Sequence, residues 1–598
     1  QPLPAEAAEQ LFYKKAFPKV GRCPSGLEGW CRNILTRCEG LPLGIIEIGQ
    51  YLSTRERTES EWKKLHDSLG SELKRSGRLS NTMRVLSVSY DDLPYHLKYC
   101  FLYLSIFPED YPVKRRRLIR LWIAEGFIIE ETGKEVEDIG EEYLKELIER
   151  SLIQVSELDF DGKPRRCRVH NLMHKIILSR SIEEKFCTAV FTGSEERNFD
   201  GLMTRRLSIQ NSGGGLLNLS CRNFPKARTI FTFGAPYSSI ADIPSSLKLL
   251  RVLHLEGASL ETFPKEIAEL LLLKYLCLRN TNIKSIHKSL GNLRHLETLD
   301  LKQTGVTELP KEILNLDNLR HLLVYSYDNI QNYTLFDSVK GFEVSAKVMT
   351  PYFQKLQKLS FIKVNRHNKM IQWLGNLTQL RKLGIIDLPR DEGPNLCKSI
   401  EMLQNLRSLN VTSVQKEEFL DLEAISNPPP LLQRLYLKGQ LKRLPTWTCR
   451  LHDLVRIRLK WSRLTPGNNP IELLQDLPNL LELQLLDAYI GNQLDFNPGK
   501  FQKLKILELE QLEQLRVVIM EKSTLPHLEK LIIRRCNNLK QVPVGIDNLT
   551  CLKELHLYDM PNRFVAQLKS GGELRHLVRH IPHIHCYYLQ RRWMPEDL

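Results

Sequence analysis

The 598-residue chain lacks any apolar run of the ~18 residues that a bilayer-spanning helix needs. It holds only 13 cysteines, an odd number, and no Cys-x-x-Cys pair. That excludes the dense disulfide framework of a small secreted domain, and the thiols read as reduced core residues of a cytosolic protein. No signal peptide opens the sequence. It begins with Gln1 rather than Met, and the true N-terminus is expected upstream. A phosphate-binding loop is also missing. Gly-Lys occurs at Gly133-Lys134, Gly162-Lys163 and Gly499-Lys500, never followed by Ser or Thr and never as GxxxxGK[ST]. Without that loop the chain should not hydrolyse ATP. No nucleophile–base pair stands out, so the chain is expected not to be an enzyme. His580, His583, His585 and Cys586 fit no zinc spacing, and no metal is expected.

What is present is ordinary for a folded protein: 42% hydrophobic and 26% charged residues, with a net charge of +15. A basic balance suits nucleic acid, an anionic surface or an acidic protein. Dense basic runs are short, Lys114–Arg117 among them, so the charge reads first as a dispersed solvated surface.

The strongest signal is a repeat. Leu-x-x-Leu-x-Leu occurs at Leu250/Leu253/Leu255 and returns at Leu273/Leu276/Leu278, Leu296/Leu299/Leu301 and Leu319/Leu322/Val324. Later copies centre on Leu359, Leu383, Leu409, Leu435, Ile457, Leu483, Leu507, Leu531 and Leu555, with weaker ones at Leu207 and Ile230. Such a beat predicts a leucine-rich-repeat solenoid, in which stacked neighbours bury what one repeat cannot. Segments such as Phe263-Pro264-Lys265-Glu266-Ile267 fill the return, where Pro breaks a strand. A gap of 37 residues separates Leu322 from Leu359, and its Tyr325–Thr350 stretch reads as an inserted loop or a degenerate repeat. Two positions before the central residue stand Arg251, Lys274, Arg320, Arg381, Arg407, Lys505 and Lys553. They form a candidate basic stripe for an acidic partner, or merely solubilise exposed strands.

Upstream, residues 26–38 have a helical pattern that Gly40 ends, and Leu41-Pro42 opens a second helix to about Leu52. The string ending Asp91-Asp92-Leu93-Pro94 reads as a helix end, not a metal-binding strand. Lys114 to Ile128 reads as an amphipathic helix, with Leu118, Leu121, Trp122 and Glu125 on one face. A helix at Val136 to Arg150 follows, then a hairpin about Asp161-Gly162. Helices and a hairpin make a winged helix. Lys114–Arg117 tempts a DNA-binding reading, but the helix offers packing residues rather than base readers. His170 stands beside the N-terminus of a further helix. It can meet an anion there or be satisfied by local backbone.

Together these strings resemble the coiled-coil class of plant nucleotide-binding leucine-rich-repeat receptors. Gly40-Leu41-Pro42-Leu43 matches the family's GLPL motif, and Cys100 to Asp110 with Leu121 to Phe127 match its winged-helix signature. Val169-His170-Asn171 falls where the family has Met-His-Asp, with Asn171 departing from the usual Asp. The resemblance implies a fold that is multidomain α+β: a helical NB-ARC remnant and a winged helix, followed by an α/β solenoid in a horseshoe. It divides the chain at 1–70, 71–185, 186–580 and a tail, 581–598. It implies an ADP/ATP switch in a full-length parent, bound poorly by this chain alone, with Pro42 near the adenine and His170 on the ADP β-phosphate. It further implies an intracellular disease-resistance role in defence signalling. The repeats would recognise a pathogen effector or guarded host protein and restrain the switch through contact with the winged helix. Oligomerisation would need the missing N-terminal part. The localisation expected is cytoplasmic, with the nucleus or inner plasma-membrane face as variants. Rival readings are a truncated repeat decoy without switching, a winged-helix nucleic-acid binder, and an extracellular repeat receptor. The last would use sequons at Asn218, Asn332, Asn376, Asn410 and Asn548.

Overall fold

The computed structural model describes all residues except 1–2, 19–20, 25, 39, 41, 72–86, 192–203, 211–223, 235–246, 328–335, 345–352, 365–369, 570, 591 and 598. The chain divides into two compact units, residues 1–258 with 272–276, and residues 259–271 with 277–598.

The first unit opens with helices Ala5–Ala16, Glu28–Arg37, Pro42–Ser53 and Glu59–Ser71. Their core is Phe12, Phe17, Cys31, Ile34, Ile45, Ile48 and Trp62, with Phe17 stacked on Trp62 at 5.6 Å. A Cβ at Gly49 would sit 2.8 Å from the Cβ of Lys15, so the first and third helices approach through that glycine. The second helix ends at Arg37 with Cys38 as its cap, and Gly40 beyond it takes the left-handed φ of +71°. Pro42 is the first residue of the next helix, where its missing N–H costs nothing.

A winged helix follows. Asp92 and Leu93 close a helical turn through N–H bonds to Val88 and Tyr90, and Pro94 caps the helix Tyr95–Leu102. The helix expected at Lys114 to Ile128 is shorter, Arg115–Glu125. Lys114 pairs in a strand, and Gly126 at φ +81° stops the helix. Val136–Glu149 comes next, then strands Gln154–Leu158 and Pro164–Arg168 about Gly162, and the helix Asn171–Glu183. Trp122, Leu118, Leu121, Phe101 and Leu147 are buried. A parallel array begins within the same unit: Thr188–Phe191, Arg206–Gln210, Thr229–Phe233 and Val252–His254. Leu207 pairs with Ile230, and Ile230 with Leu253, so both weak copies are true repeats.

The second unit carries the remaining repeats. Leu299, Leu322, Leu359, Leu383, Leu409, Leu435, Ile457, Leu483, Leu507, Leu531 and Leu555 stand in register across eleven parallel strands. Those leucines are buried, and 3-10 turns such as Lys265–Glu269 and Lys311–Asn315 follow the capping Pro264 and Pro310. The stretch assigned to a tail at 581–598 is instead sheet. His583–Gln590 pairs in parallel, Leu555 with Ile584, and Arg592–Asp597 folds back antiparallel. Ile584 and Cys586 fill the inward positions, so the strand escaped a leucine pattern.

Four residues after the central position, the chain turns through positive φ in repeat after repeat. Asn280, Gln303, Asp387, Trp461, Asp487, Gln511, Arg535 and Asp559 do so as non-glycines, and Gly439 joins them.

The 37-residue gap proves to be one repeat carrying an insertion. Ser326–Tyr327 pairs antiparallel with Val339–Lys340, and Glu343–Val344 rejoins the array parallel to Glu308–Leu309. Val344 follows Leu322 by 22 positions where Leu309 follows Leu299 by 10, so 12 residues are added at the strand exit. At the rejoining point a Cβ on Gly341 would lie 2.0 Å from the carbonyl oxygen of Phe361 and 2.4 Å from Ile386 Cδ1. Because the nearer clash is with backbone, Gly341→Ala is expected to destabilise the second unit by about 1–3 kcal/mol. Chemical denaturation would check this, and an unchanged midpoint would show that the hairpin base is not seated so tightly.

Candidate functional site

Pro42 and His170 are the site residues expected from sequence. His170 caps the Asn171–Glu183 helix, and its Nδ1 accepts the Leu172 N–H at 3.3 Å. An accepting Nδ1 leaves the proton on Nε2, a donor suited to an anionic oxygen. Burial, then the charge of Arg168, lowers the imidazole pKa below its usual range, opposed by Asp110. Arg168 itself pairs with Asp110 at 2.7 Å. Asn171 is exposed at the first helical position. No hydrogen bond, ion pair or ring contact joins Pro42 to His170.

The helix that Pro42 opens hides a carboxyl. Glu47 is buried, with Oε1 lacking a hydrogen-bond partner, and burial pushes its pKa up to about 8, eased by Ser89.

A larger polar centre escaped the sequence reading. Glu125, the last residue of its helix, is buried and forked by Arg206. Arg206 Nε donates to one carboxylate oxygen at 3.0 Å and Nη2 to the other at 2.7 Å. Thr229 donates to Glu125 as well, and Arg251 donates to its backbone carbonyl at 3.2 Å. The Arg206 guanidinium lies 4.0 Å from the Phe186 ring centroid and 5.0 Å from that of Phe127. Burial works against the Arg206 charge, yet the Glu125 charge and hydrogen bonds outweigh it and leave the pKa above its ordinary value. Glu125 belongs to the winged helix, Arg206 and Thr229 to the first repeat strands. Beside this centre Phe107 meets Phe231 at 5.3 Å and Tyr111 meets Phe233 at 5.4 Å, and Ser208 donates to the Ile106 carbonyl at 2.6 Å. Only half of the signal was legible. A lone carboxylate on the face of Leu118, Leu121 and Trp122 needs a buried partner.

Lys114–Arg117 does not present a free basic face. Arg115 pairs with Glu141 at 2.8 Å; Arg117 pairs with Glu256 at 3.1 Å and lies over Phe231. The supposed basic stripe is partly neutralised, since Lys505 and Lys553 flank Glu529 at 3.1 and 3.0 Å. The open face of the second unit's sheet alternates in sign. Arg458 meets Glu482 at 2.8 Å, Arg534 meets Glu508 at 3.0 Å, and Lys530 meets Glu554 at 2.6 Å. Its last strands carry a ring stack, with Tyr558 on Tyr587 at 4.3 Å and Arg534 over Tyr558 at 4.0 Å. Among the described residues, no three of His580, His583, His585 and Cys586 bring ligand atoms together. Of the sequons, Asn218 and Asn332 lie outside the described residues. The described cysteines are free thiols, and no helix among the described residues is long and apolar enough to cross a membrane.

The family model for the leucine-rich repeat region matches residues 226–538, and that for the disease resistance protein winged helix domain matches 106–177. The chain is thus a leucine-rich-repeat protein with a winged helix of the disease-resistance type. It is 38% identical to disease resistance protein RPM1 of Arabidopsis thaliana over 98% of this chain and 62% of that protein. It is 33% identical to disease susceptibility protein LOV1 of the same plant, over 94% of this chain and 61% of the relative. Disease resistance protein RPP8, also from that plant, is 29% identical over 96% of this chain and 63% of its own. The chain belongs to the leucine-rich-repeat proteins, is similar along nearly its whole length to these disease resistance and susceptibility proteins, and spans about three fifths of their length. Among solved structures, a Leptospira interrogans leucine-rich-repeat protein aligns over 61% of this chain and 91% of its own, at 20% identity and a TM-score of 0.35. A plant peptide hormone receptor, RGFR1, solved in complex with RGF2, aligns over 62% of this chain and 65% of its own, at 16% identity and a TM-score of 0.36.

Removing one partner of a buried ion pair strands the other charge, at a cost of about 3–5 kcal/mol, whereas replacing both is far cheaper. Arg206→Met should therefore destabilise the first unit by about that amount, and Glu125→Gln with Arg206→Met by much less. Hydrogen exchange at Leu207 and Ile209 would read the difference, and equal losses would refute the pairing. Glu47 gives a pH prediction. Its pKa rises from 4.5 to about 8 on folding, so the folded state retains a proton that the unfolded state releases in that window. Stability should fall as pH rises from 4.5 to 8, by about 4 kcal/mol in all, and Glu47→Gln should flatten the slope. An unchanged slope in the variant would assign the dependence elsewhere.

Proposed function

We propose that this chain is the recognition-and-restraint portion of an intracellular immune receptor. Its repeats bind a pathogen effector or a guarded host protein, and its winged helix couples that event to a switch. The solenoid then bends as a horseshoe with the sheet inside, and the divisions at 1–70, 71–185, 186–580 and the C-terminal strands follow the family's plan. The single observation carrying this reading is the buried fork of Arg206 on Glu125. It ties the winged helix to the first repeats, so a change in either is felt by the other. Similarity to the disease resistance proteins supplies the biological setting.

A nucleotide fits this chain only in part. His170 would offer its Nε2–H to a phosphate oxygen, and Pro42 would pack beside the base. The cradle for the phosphates has no counterpart in the 598 residues, and ADP or ATP binding belongs to a longer parent. Neutral His170 holds its helix start by accepting the Leu172 N–H, and would need no protonation change to donate from Nε2. A cytoplasmic location and a non-catalytic role complete the reading.

The test is expression of the complete gene product in leaf tissue. Arg206→Ala should trigger cell death without a pathogen, while Arg206→Lys, which keeps the charge, should stay closer to quiescent. An Arg206→Ala protein that accumulates normally and stays silent would sink the restraint.

A further inference from the structure

The inserted hairpin does not stop at its own repeat. Phe336, on its described returning limb, reaches the strand Arg434–Lys438, which is the fourth along the sheet from His321–Leu323. At ~4.8 Å per strand, that is about 19 Å across the open face. There the Lys438 ammonium donates to the Phe336 carbonyl. It sits 4.7 Å from the Phe336 ring centroid and 5.2 Å from that of Trp461, so two π faces flank one cation. The rings themselves meet edge to face at 5.4 Å. Trp461 is buried and holds a left-handed φ of +55°, a conformation disfavoured for so bulky a residue.

Two lysines stand side by side where the hairpin lands. Lys438 lies in register with Lys460 on the next strand. Burial and then Lys460 lower the Lys438 pKa to about 8, while Asp337 beside Phe336 and Asp387 on the sheet act against the fall. Lys460 is lowered too, by burial and by Arg458, with Glu510 and Glu508 acting against the fall. An aromatic ring followed by a carboxylate answers both features. The ring covers Trp461 and one face of the ammonium, and the acid offsets the Lys438 charge.

We propose that the open face around Lys438, Lys460 and Trp461 is a binding site for a protein segment in which an acidic residue directly follows an aromatic one. The hairpin's own Phe336-Asp337 occupies the site until such a partner displaces it. A tethered occupant has the advantage of high effective concentration, so a free partner must make further contacts to win. The identity of the displacing protein rests on reading the repeats as a recognition surface; the site itself does not.

The test uses the whole chain and a fluorescent pentapeptide of residues 336–340, Phe-Asp-Ser-Val-Lys, read by polarisation. A chain carrying Phe336→Ser and Asp337→Ser should capture the peptide at least ~10-fold more tightly than the unaltered chain. Replacing the peptide's Phe by Ala should weaken capture ~10-fold. Adding Lys438→Met should abolish the gain. Equal capture by the opened and unaltered chains, or a gain that survives Lys438→Met, overturns the proposal. If the opened chain misfolds by circular dichroism, Lys438→Met alone decides. It should speed hydrogen exchange at Tyr327 and Val339 in the hairpin, and unchanged exchange overturns occupancy. The peptide result does not depend on leaf-tissue signalling, so either reading can fail while the other stands.

Discussion

A leucine-rich repeat cannot close its own core, and the rest of the structure answers to that constraint. Each strand puts its leucines inward and needs a neighbour on both sides. At the start of the array the winged helix supplies cover, with Phe107 and Tyr111 lying against Phe231 and Phe233. At the far end the cover is the antiparallel strand Arg592–Asp597. The inner strands solve the problem with one another, so their sequences share a beat. The end strands solve it with different partners, so theirs depart from it.

At the winged-helix end, apolar contact alone would leave the seating loosely defined. Aromatic rings tolerate sliding by part of a residue; a forked guanidinium does not. Any shifted seating would leave Glu125 and Arg206 buried without each other. Such a pair adds little net stability over a hydrophobic replacement. The packing of Arg206 on Phe186 and Phe127 ties the pair to the helices beneath.

The repeat was legible because its period is written in one residue type at spaced positions. The winged helix was legible through its periodicities and the Asp161-Gly162 turn. The C-terminal strand was not, because Ile584 and Cys586 fill leucine positions among three histidines. The helix at 115–125 was read three residues too long at its C-terminal side, since Phe127 and Ile128 extend an apolar face past the left-handed Gly126. His170 was placed correctly at a helix start, but its tautomer follows from a 3.3 Å contact that no spacing encodes. Arg206 and Glu125 are 81 positions apart, and nothing local joins them.

The insertion leaves the sheet at Ser326, four positions past Leu322, where other repeats place their left-handed residue. It returns before Gly341, and the pairing of Leu322 with Leu359 runs on unbroken. Its length is therefore uncoupled from the leucine beat. Residues can be gained, lost or exchanged in the loop without moving any strand by one register. This gives the chain a segment where variation can accumulate while the scaffold is inherited intact.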